Sequence, residues 1–109
     1  MDDELDKLGR YSGPATLILS SLAGGPKHGY ALMQDVEEFA KVTLRPGTLY
    51  GALTRLEGMK LIEPVDGAGR RRPYRLTNEG AAALQLQLAA QRRTADVGLR
   101  RLAGGLATG

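Results

Sequence analysis

The sequence predicts a mainly α fold carrying one small β-hairpin. Apolar residues recur at helical spacing in four stretches, a glycine-rich turn between the third and fourth is flanked by two short strand-like runs, and 109 residues suffice for only one core. In the first helix, Ser12, Gly13 and Pro14 precede Leu17, Ile18, Leu19 and Leu22, with proline near the first turn where its missing N–H costs nothing. Gly24, Gly25 and Pro26 stop it. The second runs from His28 to Ala40, with Leu32, Met33, Val36, Phe39 and Ala40 on its apolar stripe and Gln34, Asp35 and Glu38 on its polar side. His28 is expected to cap or pack the start of that helix.

Residues 41–45 break the pattern, and Pro46 and Gly47 open a third helix that reaches about Lys60. Leu49, Ala52, Leu53 and Leu56 form its buried stripe. Gly47, Thr48, Gly51, Thr54 and Arg55 therefore project outward. Leu61 to Val65 and Arg70 to Thr77 then read as a hairpin around Asp66 to Gly69, with Pro64 and Pro73 limiting both strands to short or edge character. Thr77 is placed to cap a fourth helix, and Glu79 suits its dipole. This helix is expected to end near Gly104 and Gly105. Leu84, Leu88, Ala95, Leu99, Leu102 and Leu106 make its stripe, interrupted by Gln91 and by Gly98, which costs ~1 kcal/mol relative to alanine.

Composition excludes several classes of function. With no cysteine and one histidine, the chain lacks thiolate nucleophiles, disulfides and the usual zinc ligands, and its carboxylates do not cluster as a binuclear site would need. No nucleophile, base and orienting group converge, so no enzyme, catalytic residue, metal or cofactor is expected. Aliphatic runs such as Leu17 to Leu19 are far below the roughly 20 residues of a membrane-spanning helix. Asp2, Asp3, Glu4 and Asp6 are the reverse of a secretory leader, so the expected location is cytoplasmic.

Net charge is +3, but between Lys41 and Arg75 eight basic residues stand against three acidic ones. That segment is a candidate face for a polyanion. Three helices followed by a hairpin make the layout of a winged helix-turn-helix. Small outward residues at the start of the third helix permit close approach to base edges, its first amides are free for a phosphate, and Thr48 and Tyr50 add hydroxyls. Arg70, Arg71 and Arg72 put three cations at the hairpin tip, suited to the DNA backbone or a minor groove.

The segments HGYALM (28–33), RPGTLYGALTRLE (45–57), GMKLIE (58–63) and GRRRPYRLT (69–77), followed by NEG, closely resemble the PadR family of bacterial transcriptional regulators over residues 14–82. The resemblance implies a winged-helix DNA-binding domain and a C-terminal dimerisation element, acting usually as a repressor on palindromic operators. The single helix after the wing is similar to the small subfamily. By position, Tyr30, Pro46, Gly47, Thr48, Tyr50 and Arg70 to Arg72 match the family's DNA-facing set. Arg45 stands where the family commonly has a capping serine. Some small members stack flat drugs between tryptophans, and this chain has none.

Residues 1–11 are thus expected as a flexible acidic tail, 12–77 as the DNA-binding domain and 78–109 as the dimerisation helix and tail. Tyr30, Arg45, Pro46, Gly47, Thr48, Tyr50, Gly51, Thr54, Arg55, Arg70, Arg71 and Arg72 are the expected contacts to double-stranded DNA. Leu84, Leu88, Ala95, Leu99 and Leu102 are the expected homodimer seam. A helix from about 78 to 103 spans roughly 39 Å, more than a small core covers, and a second copy would set two reading helices about 34 Å apart. Two alternatives are a sensor whose dimer crevice takes a small hydrophobic effector, and a protein-interaction module using the acidic tail and Asp35, Glu37 and Glu38.

Overall fold

The computed structural model describes residues 13–65 and 73–108, the side chains of 106–108 aside. The predicted acidic tail and the hairpin tip with Arg70, Arg71 and Arg72 lie outside the described residues. The element order is α1 (Pro14–Leu22), α2 (Gly29–Ala40), α3 (Pro46–Gly58), β1 (Ile62–Pro64), β2 (Tyr74–Leu76) and α4 (Asn78–Thr108).

Helix α1 is the hub, touching α2, α3, α4 and β2. Ile18, Leu19 and Leu22 meet Leu32 and Val36 of α2, Leu49, Ala52, Leu53 and Leu56 of α3, Ile62 of β1 and Leu84 of α4 in a single core. Leu44, in the turn between α2 and α3, closes it. At ~25 cal/mol per Å², burial of these aliphatic side chains is what stabilises helices of only 9 to 13 residues, which are marginal alone. Phe39 departs from the predicted stripe and is 49% exposed. It shares the phase of Leu32 and Val36, but it sits in the last turn of α2 and outside the core.

The punctuation falls where proline, glycine and left-handed residues allow it. Pro14 and Pro46 occupy first-turn positions. Helix α2 ends on Lys41 at φ 58°, and the turn after α3 uses Lys60 at φ 63°, left-handed conformations that side chains with a Cβ adopt reluctantly. His28 occupies the N-cap position of α2, but its side chain makes no capping hydrogen bond, so only its backbone fills the expected role.

Strands β1 and β2 pair antiparallel, with Ile62 opposite Leu76, Glu63 opposite Arg75 and Pro64 opposite Tyr74. Both are three residues long, shorter than the predicted runs. Arg75 Nε donates to Glu63 Oε2 at 2.7 Å across the pair. Lys27 bridges the other side of β2 through Tyr74, so β1 is the edge strand and tolerates Pro64.

Thr77 closes the hairpin base. Its N–H donates to Leu61 O, its hydroxyl donates to Lys60 O at 2.7 Å, and the same oxygen accepts from Gly80 N–H at 3.0 Å as the predicted helix cap. A Cβ on Gly80 would collide with the Leu61 carbonyl, so the first turn of α4 is pressed against the turn between α3 and β1.

Two features of α4 correct the expectations. The helix continues through Gly104 and Gly105 to Thr108, 31 residues in all, instead of stopping near 103. Leu84, expected at a dimer seam, is 5% exposed within the protomer's own core and has no surface to offer a second copy. Beyond it the same stripe emerges from the core: Leu88 is 40%, Leu99 66% and Leu102 63% exposed. The molecule is accordingly elongated, 60 × 29 × 20 Å.

Candidate nucleic-acid interface

Helix α3 is anchored by Leu49, Leu53 and Leu56, each at most 1% exposed, and this fixes which residues face outward. Pro46, Gly47, Thr48, Tyr50, Gly51, Thr54 and Arg55 all lie on the exposed side, with Arg45 at the N-cap. The structure thus brings eight of the expected contacts onto one short helix and its entry. Tyr30, 67% exposed, stands in the first turn of α2, and its hydroxyl accepts from Gln34 Nε2 at 3.1 Å.

Among the described residues nothing requires the glycines of α3. A Cβ built on Gly47, Gly51 or Gly58 would meet nothing within 4 Å, and none of the three has a positive φ. Glycine in a helix costs ~1 kcal/mol relative to alanine. With Thr54 these residues, spaced by four, three and four, form one line along the helix. Along it the backbone is nearly bare.

Local chemistry adds donors and charge to this face. Arg45 caps α3 through its backbone only, so no side chain covers the first amides, and those of Gly47 and Thr48 add to the positive end of the helix dipole. Arg45 and Arg55 are exposed, and among the described residues neither takes part in an ion pair. Thr54 is less available as a donor than its position implies. Its hydroxyl proton goes to the Tyr50 carbonyl at 2.9 Å, leaving its lone pairs and methyl group to the outside.

Tyr50 is 55% exposed, yet it also packs on α2: a Cβ on Gly29 would come within 2.6 Å of its hydroxyl. Sequence reasoning named Tyr50 but missed Gly29, which lets the two helix starts approach. The glycine of the HGY segment was the available signal. Gln34, the hydrogen-bond partner of Tyr30, was also missed, and its position one turn after Tyr30 would have pointed to it.

Among the described residues no group of three or more His, Asp or Glu side chains could hold a metal ion. No described helix is long and apolar enough to cross a membrane.

A small helical core presenting its third helix, with a hairpin alongside and a long helix behind, is a winged helix-turn-helix. The model of the transcriptional regulator PadR-like family matches residues 18–86. The chain belongs to that family, whose members are transcriptional regulators and not enzymes. The match extends past Gly80 and Leu84, so it includes the turns of α4 that pack in the core. Among solved structures, a PadR family transcription regulator from Clostridium difficile is 33% identical, with a TM-score of 0.70 over 81% of this chain and 96% of that one. One from Eggerthella lenta is 30% identical, with a TM-score of 0.69 over 93% of each chain. An uncharacterised 37.1 kDa protein in a transposon of Streptomyces fradiae is 46% identical over 69 residues, which are 63% of this chain and 20% of that protein. The chain thus matches about a fifth of that relative's length.

Proposed function

We propose that the chain is a sequence-specific DNA-binding regulator, acting as a homodimer and repressing transcription at palindromic operators. The observation that supports this reading is the bare line of α3, where a Cβ on Gly47, Gly51 or Gly58 would meet nothing within 4 Å among the described residues. A helix seated in a major groove reads base edges through its side chains, and a line of small residues lets it sit deeper there than a bulky face would. Thr48 and the free first amides then suit phosphate or base acceptors, while Arg45 and Arg55 supply charge. Arg70, Arg71 and Arg72 would add phosphate contacts from the hairpin.

Dimerisation is proposed through α4 beyond Leu84. Leu88, Ala95, Leu99 and Leu102 are exposed on one stripe, and a second copy of the same helix would cover it with twofold symmetry. Two copies of α3 would then face the same side of a duplex. Selection of bound duplexes from a random pool by the purified protein tests both parts. A palindromic consensus with half-sites about one helical turn apart is expected. Recovery of no consensus, or of an unpaired half-site, would contradict it.

A further inference from the structure

Ser21 is the one buried polar side chain among the described residues, 2% exposed at the end of α1. Its hydroxyl donates to Asp35 Oδ2 at 2.6 Å, joining α1 to α2. Its carbonyl accepts from Gly24 N–H at 3.1 Å and from Lys27 Nζ at 2.5 Å, at the negative end of the α1 dipole. Lys27 Nζ also stands 3.9 Å from Asp35 Oδ2. The backbone of Lys27 meanwhile exchanges two hydrogen bonds with Tyr74, at 3.1 and 2.9 Å. One residue is thus held by two helices through its side chain and holds β2 through its backbone.

We infer that Ser21, Asp35 and Lys27 form a polar clasp that sets the position of the hairpin against the helix-turn-helix, and so the hairpin's share of DNA affinity. They are positioning residues and are not placed at the duplex. Besides the clasp, β2 is tied to the helices by the Lys27–Tyr74 β-bridge in the loop after α1 and by Tyr74 and Leu76 packed against the core, so the clasp bears on the hairpin's alignment and not on whether it docks. Lys27 and Asp35 are partly exposed, with side chains 21% and 38% accessible, so their pairing adds little to global stability. Its effect is local.

The part that concerns DNA rests on the proposed function, and the experiment separates the two. Amide exchange is followed residue by residue in wild type, Asp35→Ala and Asp35→Asn. Loss of the carboxylate should speed exchange at Lys27 and Tyr74 about tenfold or more while Leu53 and Leu56 keep their protection. Asparagine, whose oxygen still accepts from Ser21, should restore most of it. Lys27→Met takes the place of Asp35→Ala with the same expectation should that variant fail to fold. Unchanged exchange at Lys27 and Tyr74, or an equal rise throughout α3, overturns the clasp.

On a selected duplex, Asp35→Ala should bind about three- to tenfold more weakly, with a shallower salt dependence. Its effect should shrink when Arg70, Arg71 and Arg72 are already alanine. An undiminished effect in that background overturns action through the hairpin. Failure of wild type to bind any duplex would sink the DNA reading, and the exchange result would still decide the clasp.

Discussion

Gly80 and Gly51 are the same residue under opposite constraints. At Gly80 the Leu61 carbonyl fills the space a Cβ would need, so the fold itself demands glycine where α4 meets the turn between α3 and β1. At Gly51 the space is empty, and an alanine would be cheaper for the helix. Leu84 and Leu99 repeat the contrast along one stripe of α4, the first 5% and the second 66% exposed. In each pair one member is explained by contacts among the described residues, and the other has no such contact. That separates the residues that hold the protein together from those available to a partner.

The largest effect is expected at the crowded glycine. Gly80→Ala should cost about 3 kcal/mol of folding stability, because the obstructing atom is backbone and cannot swing away. Denaturant unfolding measures it, and a loss under about 1 kcal/mol would mean that α4 and the turn at Leu61 move apart easily. The leucine pair comes next. Leu84→Ala should cost roughly 2 to 4 kcal/mol in the protomer, whereas Leu99→Ala should leave protomer stability nearly unchanged and weaken self-association. Sedimentation across a concentration series tests the second half, and equal self-association of the two proteins would remove Leu99 from the seam.

Smaller effects sharpen the picture at the helix starts and the hairpin. Gly29→Ala displaces the Tyr50 hydroxyl and should cost about 1 to 2 kcal/mol, of which Tyr50→Phe recovers a part by removing that oxygen. Strict additivity of the two substitutions would show that the contact is not shared. Arg71→Ala should weaken binding to every duplex alike and make the salt dependence shallower by about 0.9. A loss confined to one sequence would assign Arg71 to base reading instead.

Much of this architecture was legible because its punctuation is local. Proline at the first turns of α1 and α3, glycine after α1 and the Thr77 cap are signals carried by two or three neighbouring residues, as is the alternation of Leu49, Ala52, Leu53 and Leu56 against the bare face of α3. What escaped the sequence depends on contacts across long separations. Ser21 and Asp35 are 14 residues apart and meet only because α1 and α2 cross there. Gly80 looks like an ordinary helix start until Leu61 is found above it. Leu84 and Leu99 share a phase, and periodicity alone does not show where the core ends along a helix. The continuation of α4 through Gly104 and Gly105 was hidden for a related reason. Two glycines cost ~2 kcal/mol in propensity, but extending a long helix already formed avoids the nucleation cost that a short one meets.

Whether the empty space beside α3 is reserved for DNA is measured most directly by Gly51→Ala, with stability and duplex binding read on the same preparation. The variant is expected to unfold at a higher denaturant concentration, gaining about 0.5 to 1 kcal/mol, while its affinity for the selected duplex falls roughly tenfold. A variant that is more stable and binds the duplex as tightly as wild type would contradict the DNA reading, because the bare line of α3 would then face no groove.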